Sequence, residues 1–209
     1  MVDATKEPDV RTRVMNGVAV PSVEPEEGRD DHPDHERASI RSLRRLVRPG
    51  DSVVVVGGGW GVSTVVAARM THFEGDVTTF EPTSRMLETI ERTVEVNRVA
   101  DLVTLEHAAI GEFAGEELWG EADGARRSPD AIPDCDVLEL DCEGAELDIL
   151  RSLEIDPRVI VVETHDHLGS PPEEVSAALD RLGYEVVAEG TAGFHDDLPV
   201  LTATKKGSR

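Results

Sequence analysis

Apolar positions in this chain fall into two patterns, short continuous runs and stripes of helical period. Ser52-Val53-Val54-Val55-Val56 is a β-branched apolar run, which suits a strand buried on both faces. After four glycines and a Trp, Val62, Val65 and Val66 fall on one face of a helical pattern. Val77-Thr78-Thr79-Phe80-Glu81 predicts the next strand, and Met86, Leu87, Ile90 and Val94 mark the inward face of a helix over 84–97. Three more strands are predicted at 103–106, 135–141 and 158–163, with a short helix over 144–153 between the last two. Val175, Ala178, Leu179 and Leu182 form a stripe ended by Gly183, and Ser170 with Glu173 is spaced as a capping box ahead of it, with Pro171 and Pro172 at the helix start. Upstream, Ile40, Leu43, Leu46 and Val47 make a stripe that stops at Pro49-Gly50.

Strand and helix alternate, so the sheet is expected to be mainly parallel with right-handed crossovers. The end departs from that rhythm. Two strand-like runs, 184–189 and 198–204, have no helix between them and must pair antiparallel. The length, 209 residues, suits one domain, here 35–209, behind an extension over 1–34. That extension is rich in Asp, Glu and Pro and holds one short strand-like run at 13–20; it reads either as a loose tail or as a flap over a site. A polar stretch from Gly111 to Pro133 is long for a connection and reads as an excursion or lid, with Trp119 as its anchor.

Charge narrows the classes. The formal net charge is −22, and Lys6, Lys205 and Lys206 are the only lysines. Carboxylate excess of this kind fits a protein kept soluble in concentrated salt, where self-repulsion is screened. It argues against nucleic-acid partners, whose binding rests on neutralising phosphates. No apolar run approaches the ~20 residues of a membrane span and the N-terminus has no signal-peptide core, so a cytoplasmic protein is expected. Cys135 and Cys142 match no zinc spacing and, on one strand, stand too far apart to bridge; both are expected to be free thiols.

The candidate chemistry begins at Gly57-Gly58-Gly59-Trp60-Gly61. A glycine turn between a buried strand and a helix N-terminus lets a ligand touch bare backbone N–H groups. Glu81, twenty positions past Gly61 at a strand end, can accept from both hydroxyls of a ribose. The dinucleotide fingerprint would need glycine where Val62 stands. The second candidate is Asp141-Cys142-Glu143-Gly144-Ala145-Glu146. Ligands in such sheets lie at the carboxyl ends of strands, which aims Asp141 at the crevice beside the glycine loop. Glu143 and Glu146 also suit the start of a helix on electrostatic grounds alone.

These stretches, with Phe80-Glu81-Pro82, Asn97 and Glu163-Thr164-His165, resemble the FkbM-type S-adenosylmethionine-dependent methyltransferases, over about 51–204. The resemblance implies the class I methyltransferase fold, a Rossmann-like α/β domain with a seven-stranded, mainly parallel sheet and a C-terminal antiparallel hairpin strand. It implies S-adenosylmethionine as cofactor, held by Gly57, Gly58, Gly59, Trp60 and Gly61, by Glu81 at the ribose, by Ala108 or Ala109 at the adenine and by Asp141 near the methionine end. The implied reaction is methylation of a hydroxyl on a sugar or other small metabolite, with His165 as first choice of base and Asp141 and Glu143 behind it. Two positions depart from the family pattern: Val55 stands where an acid is usual and Glu139 where lysine is common.

Alternatives stay open. Glu163-Thr164-His165-Asp166-His167 has the donors of a divalent-metal site, yet histidines and acids are ordinary on an exposed loop, and no metal is expected. His195-Asp196-Asp197 reads as solvated turn residues. The competing functions are an RNA methyltransferase, weakened by the charge and by the lack of an Asn-Pro-Pro-aromatic motif after the fourth strand, and a non-catalytic nucleoside-binding module.

Overall fold

The structure is a computed structural model that describes residues 11–22, 30–112, 120–193 and 198–207. Eleven strands and five α-helices are present among the described residues. The described part of the extension holds a hairpin, β1 (Arg11–Met15) and β2 (Val18–Ser22), where the sequence suggested one short strand. Asn16 and Gly17, both at positive φ, make the two-residue turn. A short strand, β3 (Asp31–His32), pairs parallel to β1. This small sheet is fixed to the body by burial: Met15, Val18 and Val20 belong to the same apolar core as β4 and α2. Asn97 ties it further, accepting from Ala19 N–H and donating to Ala19 C=O.

The body follows in the predicted rhythm: α1 (Arg37–Leu46), β4 (Ser52–Val56), α2 (Val62–Met70), β5 (Asp76–Glu81), α3 (Ser84–Val96), β6 (Val103–Ile110), β7 (Ala125–Arg127), β8 (Val137–Leu140), α4 (Glu146–Arg151), β9 (Val159–Glu163), α5 (Pro172–Arg181), β10 (Tyr184–Thr191) and β11 (Pro199–Lys205). The main sheet has eight strands in the order β10-β11-β9-β8-β4-β5-β6-β7. Seven of them are the expected set. β11 runs antiparallel to β9 and β10 while β4, β5, β6, β8 and β9 are parallel. The eighth, β7, is a three-residue edge strand drawn from the polar stretch after Gly111. Trp119 and His195, Asp196 and Asp197 lie outside the described residues.

Strand burial matches the unbroken apolar runs: every residue of β8 and of β9 is buried. Helix α2 is buried almost all round, with Ser63 and Thr64 as deep as Val65 and Val66, so its valine stripe understated its burial. At α5 the capping box does not form. Pro171 occupies the N-cap, and Ser170 instead donates to Gly144 C=O and accepts from Leu147 N–H. Ser170 thereby ties the start of α5 to the loop after β8, a tertiary use that outcompetes a local one. Both cysteines are free. No helix among the described residues is long and apolar enough to cross a membrane.

Candidate active site

A cavity of about 500 Å³ opens at the carboxyl ends of β4, β5, β6, β8 and β9, under the N-terminal sheet. At one end the strand β4 stops in the glycine turn. Gly57, at φ 95°, is pressed against the next strand over: a Cβ there would lie 1.7 Å from the Asp141 carbonyl oxygen. Gly58 and Gly61 face α3, where a Cβ would meet Ile90 at 2.4 and 3.3 Å. They shape the turn without lining the cavity, whereas Gly57, Gly59 and Trp60 do line it. Gly59 has open space where a Cβ would point. Glycine here therefore serves two needs, close packing of backbone and an open face toward a ligand.

Glu81 closes β5 and is 3% exposed. One carboxylate oxygen accepts from Gly59 N–H at 3.1 Å. The other accepts from Thr83 N–H at 2.9 Å and Thr83 Oγ1–H at 2.8 Å. Burial raises its pKa above the ordinary glutamate value, against the pull of those donors. Phe80, Met86, Ala108, Ala109 and Ile110 give this end an apolar floor. The glycine turn and the acid, twenty residues apart, thus meet on one wall.

The other end is built from charge. After β8, Asp141 projects into the cavity with 25% of its side chain exposed. The chain then turns sharply through Glu143 at φ 50° and Gly144 at φ 98°; the first is a left-handed conformation that a glutamate seldom adopts. That turn sends Glu146 back under the loop, where it is fully buried and accepts from Cys142 N–H at 3.1 Å and Gly144 N–H at 3.1 Å. His165, 1% exposed, follows β9 and is oriented by Glu146: Nδ1–H donates to Glu146 Oε1 at 2.8 Å. Thr164 anchors the segment through two bonds to Pro199 C=O. His165 Nε2 then faces Asp141 Oδ1 at 3.6 Å, Glu143 Oε2 at 3.6 Å and Glu163 Oε1 at 4.0 Å.

Electrostatics follow from this packing. Burial alone would lower the histidine pKa, but the bond to Glu146 and the charges of Asp141 and Glu143 outweigh it and raise it to about 9. Burial lifts the Asp141 carboxyl to about 7, held back by His165. Glu163 is raised by burial and by the neighbouring carboxylates. Glu146 moves the other way: burial would raise it, and His165 brings it below the ordinary value. Behind the cavity, Glu139 is 2% exposed, with one oxygen 3.5 Å from Ser63 Oγ, and burial pushes its pKa well up.

More than half of the chain, residues 76–186, matches the profile of the methyltransferase FkbM domain. The chain belongs to the FkbM methyltransferase family. Among curated proteins, the chain is 30% identical over 94 residues to a ribosomal protein L11 methyltransferase of Chloroflexus aurantiacus; the match spans 45% of the chain but only 28% of that longer relative. Solved structures share the fold. TYW2 of Pyrococcus horikoshii, in complex with MeSAdo, superposes with a TM-score of 0.61 at 15% identity, over 95% of this chain and 72% of that one. A SAM-dependent O-methyltransferase of Thermotoga maritima gives 0.57 at 17% identity, over 83% and 66%. A precorrin-6y C5,15-methyltransferase of Geobacter metallireducens gives 0.55 at 23% identity, over 81% and 87%.

The cavity of this FkbM domain also brings in residues that the sequence did not single out. Arg13, Met15, His32, His35 and Glu36 reach it from the N-terminal sheet and the start of α1. Glu36 sits at positive φ before α1, with Oε1 3.0 Å from His35 Nε2 and Oε2 accepting from Ser63. No periodicity flags such residues. Glu163 is different: the sequence already offers it in the 163–167 stretch, and its place at the end of β9, as Asp141 follows β8, aims it at the same crevice.

Proposed function

We propose that this chain transfers a methyl group from S-adenosylmethionine to a hydroxyl of a small molecule. The observation that carries the reading is that one roofed cavity joins the Gly59–Glu81 wall at one end to the His165 cluster at the other. A volume of about 500 Å³ is in the range of small-molecule sites.

The cofactor supplies an electrophilic methyl on a sulfonium. The residues of the chain do the positioning. Gly57, Gly59 and Trp60 present backbone along its length, and Glu81 exchanges its internal bonds for the ribose hydroxyls. Ala108 and Ala109 leave a shallow apolar slot for the adenine. Gly58 and Gly61 hold the turn in shape. Asp141 stands between the glycine turn and the cluster, so the methionine amino group and the reacting carbon are assigned to its side. The acceptor oxygen then faces His165, Asp141 and Glu143. As the oxygen–carbon bond forms, the sulfur–carbon bond breaks and the hydroxyl proton passes to this cluster. Against the effect of burial, the carboxylates around His165 raise its pKa to about 9, which favours the imidazolium in the unliganded cluster. Asp141, 3.6 Å away, is therefore assigned as acceptor of the hydroxyl proton. The imidazolium offsets negative charge growing on the oxygen.

A second reading is methylation of a protein, favoured by the stretch shared with the ribosomal protein L11 methyltransferase. The roof over the cavity and the charge of −22 weigh against a nucleic-acid acceptor. Radiolabelled S-adenosylmethionine incubated with the purified chain and a fractionated cell extract separates the readings. Label in the small-molecule filtrate is expected. Label in protein supports the second reading. Binding of the cofactor without transfer to any fraction leaves a sensor.

A further inference from the structure

We propose that Asp141, Glu163 and His165 form a binding site for one divalent first-row cation at the acceptor end of the cavity. Each offers one ligand atom, and the three atoms lie within 4.8 Å of one another. Cation–ligand bonds of about 2.1 to 2.3 Å span at most about 4.5 Å between opposite ligands, so side-chain shifts of a few tenths of an ångström close the set.

Hydrogen bonding explains this arrangement poorly. His165 Nε2 stands 3.6 Å from Asp141, 3.6 Å from Glu143 and 4.0 Å from Glu163, beyond hydrogen-bond length, although all three carboxylates converge on it. Asp141 and Glu163 are the two whose oxygens lie close enough to share a cation with it. These are separations of donors around a shared centre. An independent observation comes from Glu163. It is 6% exposed, it lines the cavity, and its Oε2 is buried without a hydrogen-bond partner. A buried carboxylate oxygen in that state is costly unless a ligand meets it.

The outer arrangement fits as well. A ligating histidine typically donates its other ring N–H to a carboxylate, which fixes its orientation and raises its basicity. Glu146 accepts from His165 Nδ1 at 2.8 Å and is itself held by two backbone N–H groups, so Nε2 is the nitrogen left facing the cavity. One imidazole with two carboxylates suits Mn²⁺, Fe²⁺ or Zn²⁺ better than an all-oxygen Ca²⁺ site or a thiolate site. His167 also lines the cavity but lies outside the three-residue set, its ring centroid 6.1 Å from that of His165. The sequence paired the two histidines for this purpose; the fold replaces the second with a strand-end glutamate.

On the methyl-transfer reading, a cation here would bind the acceptor oxygen and make its hydroxyl more acidic. The site itself does not depend on that reading, and its test does not use turnover. Mn²⁺ is titrated into the wild-type chain and followed by electron paramagnetic resonance. One tight equivalent is expected, and pulsed spectra should carry the nitrogen modulation of a coordinated imidazole. Glu163→Gln and Asp141→Asn should each weaken that equivalent at least tenfold, Glu146→Gln about tenfold, and the exposed Asp123→Asn not at all. Circular dichroism reports whether each variant is folded. If wild-type spectra show no nitrogen coupling, or if Glu163→Gln binds Mn²⁺ as wild type does, the ions only decorate an acidic surface and the proposal falls. The wild-type spectrum decides the matter even if a variant unfolds. Calorimetric binding of S-adenosylmethionine without metal reports separately on the methyl-transfer reading.

Discussion

The two ends of the cavity are made of different material. The Gly59–Glu81 end is backbone: a glycine turn whose Gly59 N–H is held by one buried acid, over an apolar floor, all delivered by a strand, a turn and the next strand. The His165 end is side chain: four carboxylates and an imidazole, contributed by the loops after β8 and β9, the last residue of β9 and the start of α4. A backbone surface has fixed charge and tolerates neighbours. A side-chain cluster carries charge that each neighbour resets. The first kind suits a ligand that every turnover shares, and the second suits chemistry.

The sharpest test attacks the point where the ends touch. Gly57→Val puts a side chain into the Asp141 carbonyl at a positive φ, and should cost about 3 kcal/mol or more, leaving a chain that melts many degrees lower or does not fold. A variant that melts like wild type would show that the ends are not in backbone contact. Next, His165→Ala should lower turnover about a hundredfold or more while the cofactor dissociation constant, by calorimetry, stays within about twofold. Equal losses in both would erase the proposed division of labour. Glu81→Ala should do the reverse, weakening cofactor binding about ten- to a hundredfold, since bonds to a carboxylate are worth about 1.5 to 3 kcal/mol.

A smaller effect refines that end. The Glu81 carboxylate, with a pKa raised above the ordinary glutamate value by burial, accepts from both ribose hydroxyls at once only when ionised. Cofactor affinity should therefore be flat above the raised pKa and decline as the pH falls through it, at a pH above the ordinary glutamate range. Glu81→Gln should bind weakly and without that decline. The same shift means that the ionised carboxylate costs folding stability above the unfolded value, a cost that disappears on acidification. Least of all should either end respond to salt. Molar potassium chloride is expected to raise the melting temperature by screening the surface acids, with cofactor affinity changed less than about twofold.

What the sequence disclosed follows the same division. Ser52–Val56, the glycines and Glu81 sit within one strand-turn-helix-strand unit, so spacing alone placed them together. Strand-end position likewise aimed Asp141 at the crevice, and the loop between the last two strands required their antiparallel pairing. The His165 cluster could be named only piecemeal, because its geometry depends on the left-handed turn at Glu143 and on Glu146 folding back beneath it. Glu146 read most simply as an acid at a helix start; only the tertiary fold turns it toward an imidazole. Ser170 was misread for the matching reason, a local cap signal diverted to a distant carbonyl. Arg13 and Met15 fall in the strand-like run of the possible flap, but which side chains of that run face the cavity, and that Glu36 joins them, has no period to reveal it.

That roof has a consequence for how such proteins diversify. Residues 11–22 and 30–36 contribute part of the wall of the cavity, yet neither the glycine turn nor Glu81 belongs to them. Met15, Val18 and Val20 join them to the core beneath, with polar ties from Asn97 to Ala19, from Arg69 to Gly17 and from Ser63 to Glu36. Transplanting this leading segment from a cousin, with those anchors retained, should redirect the choice of acceptor while the engine below runs unchanged.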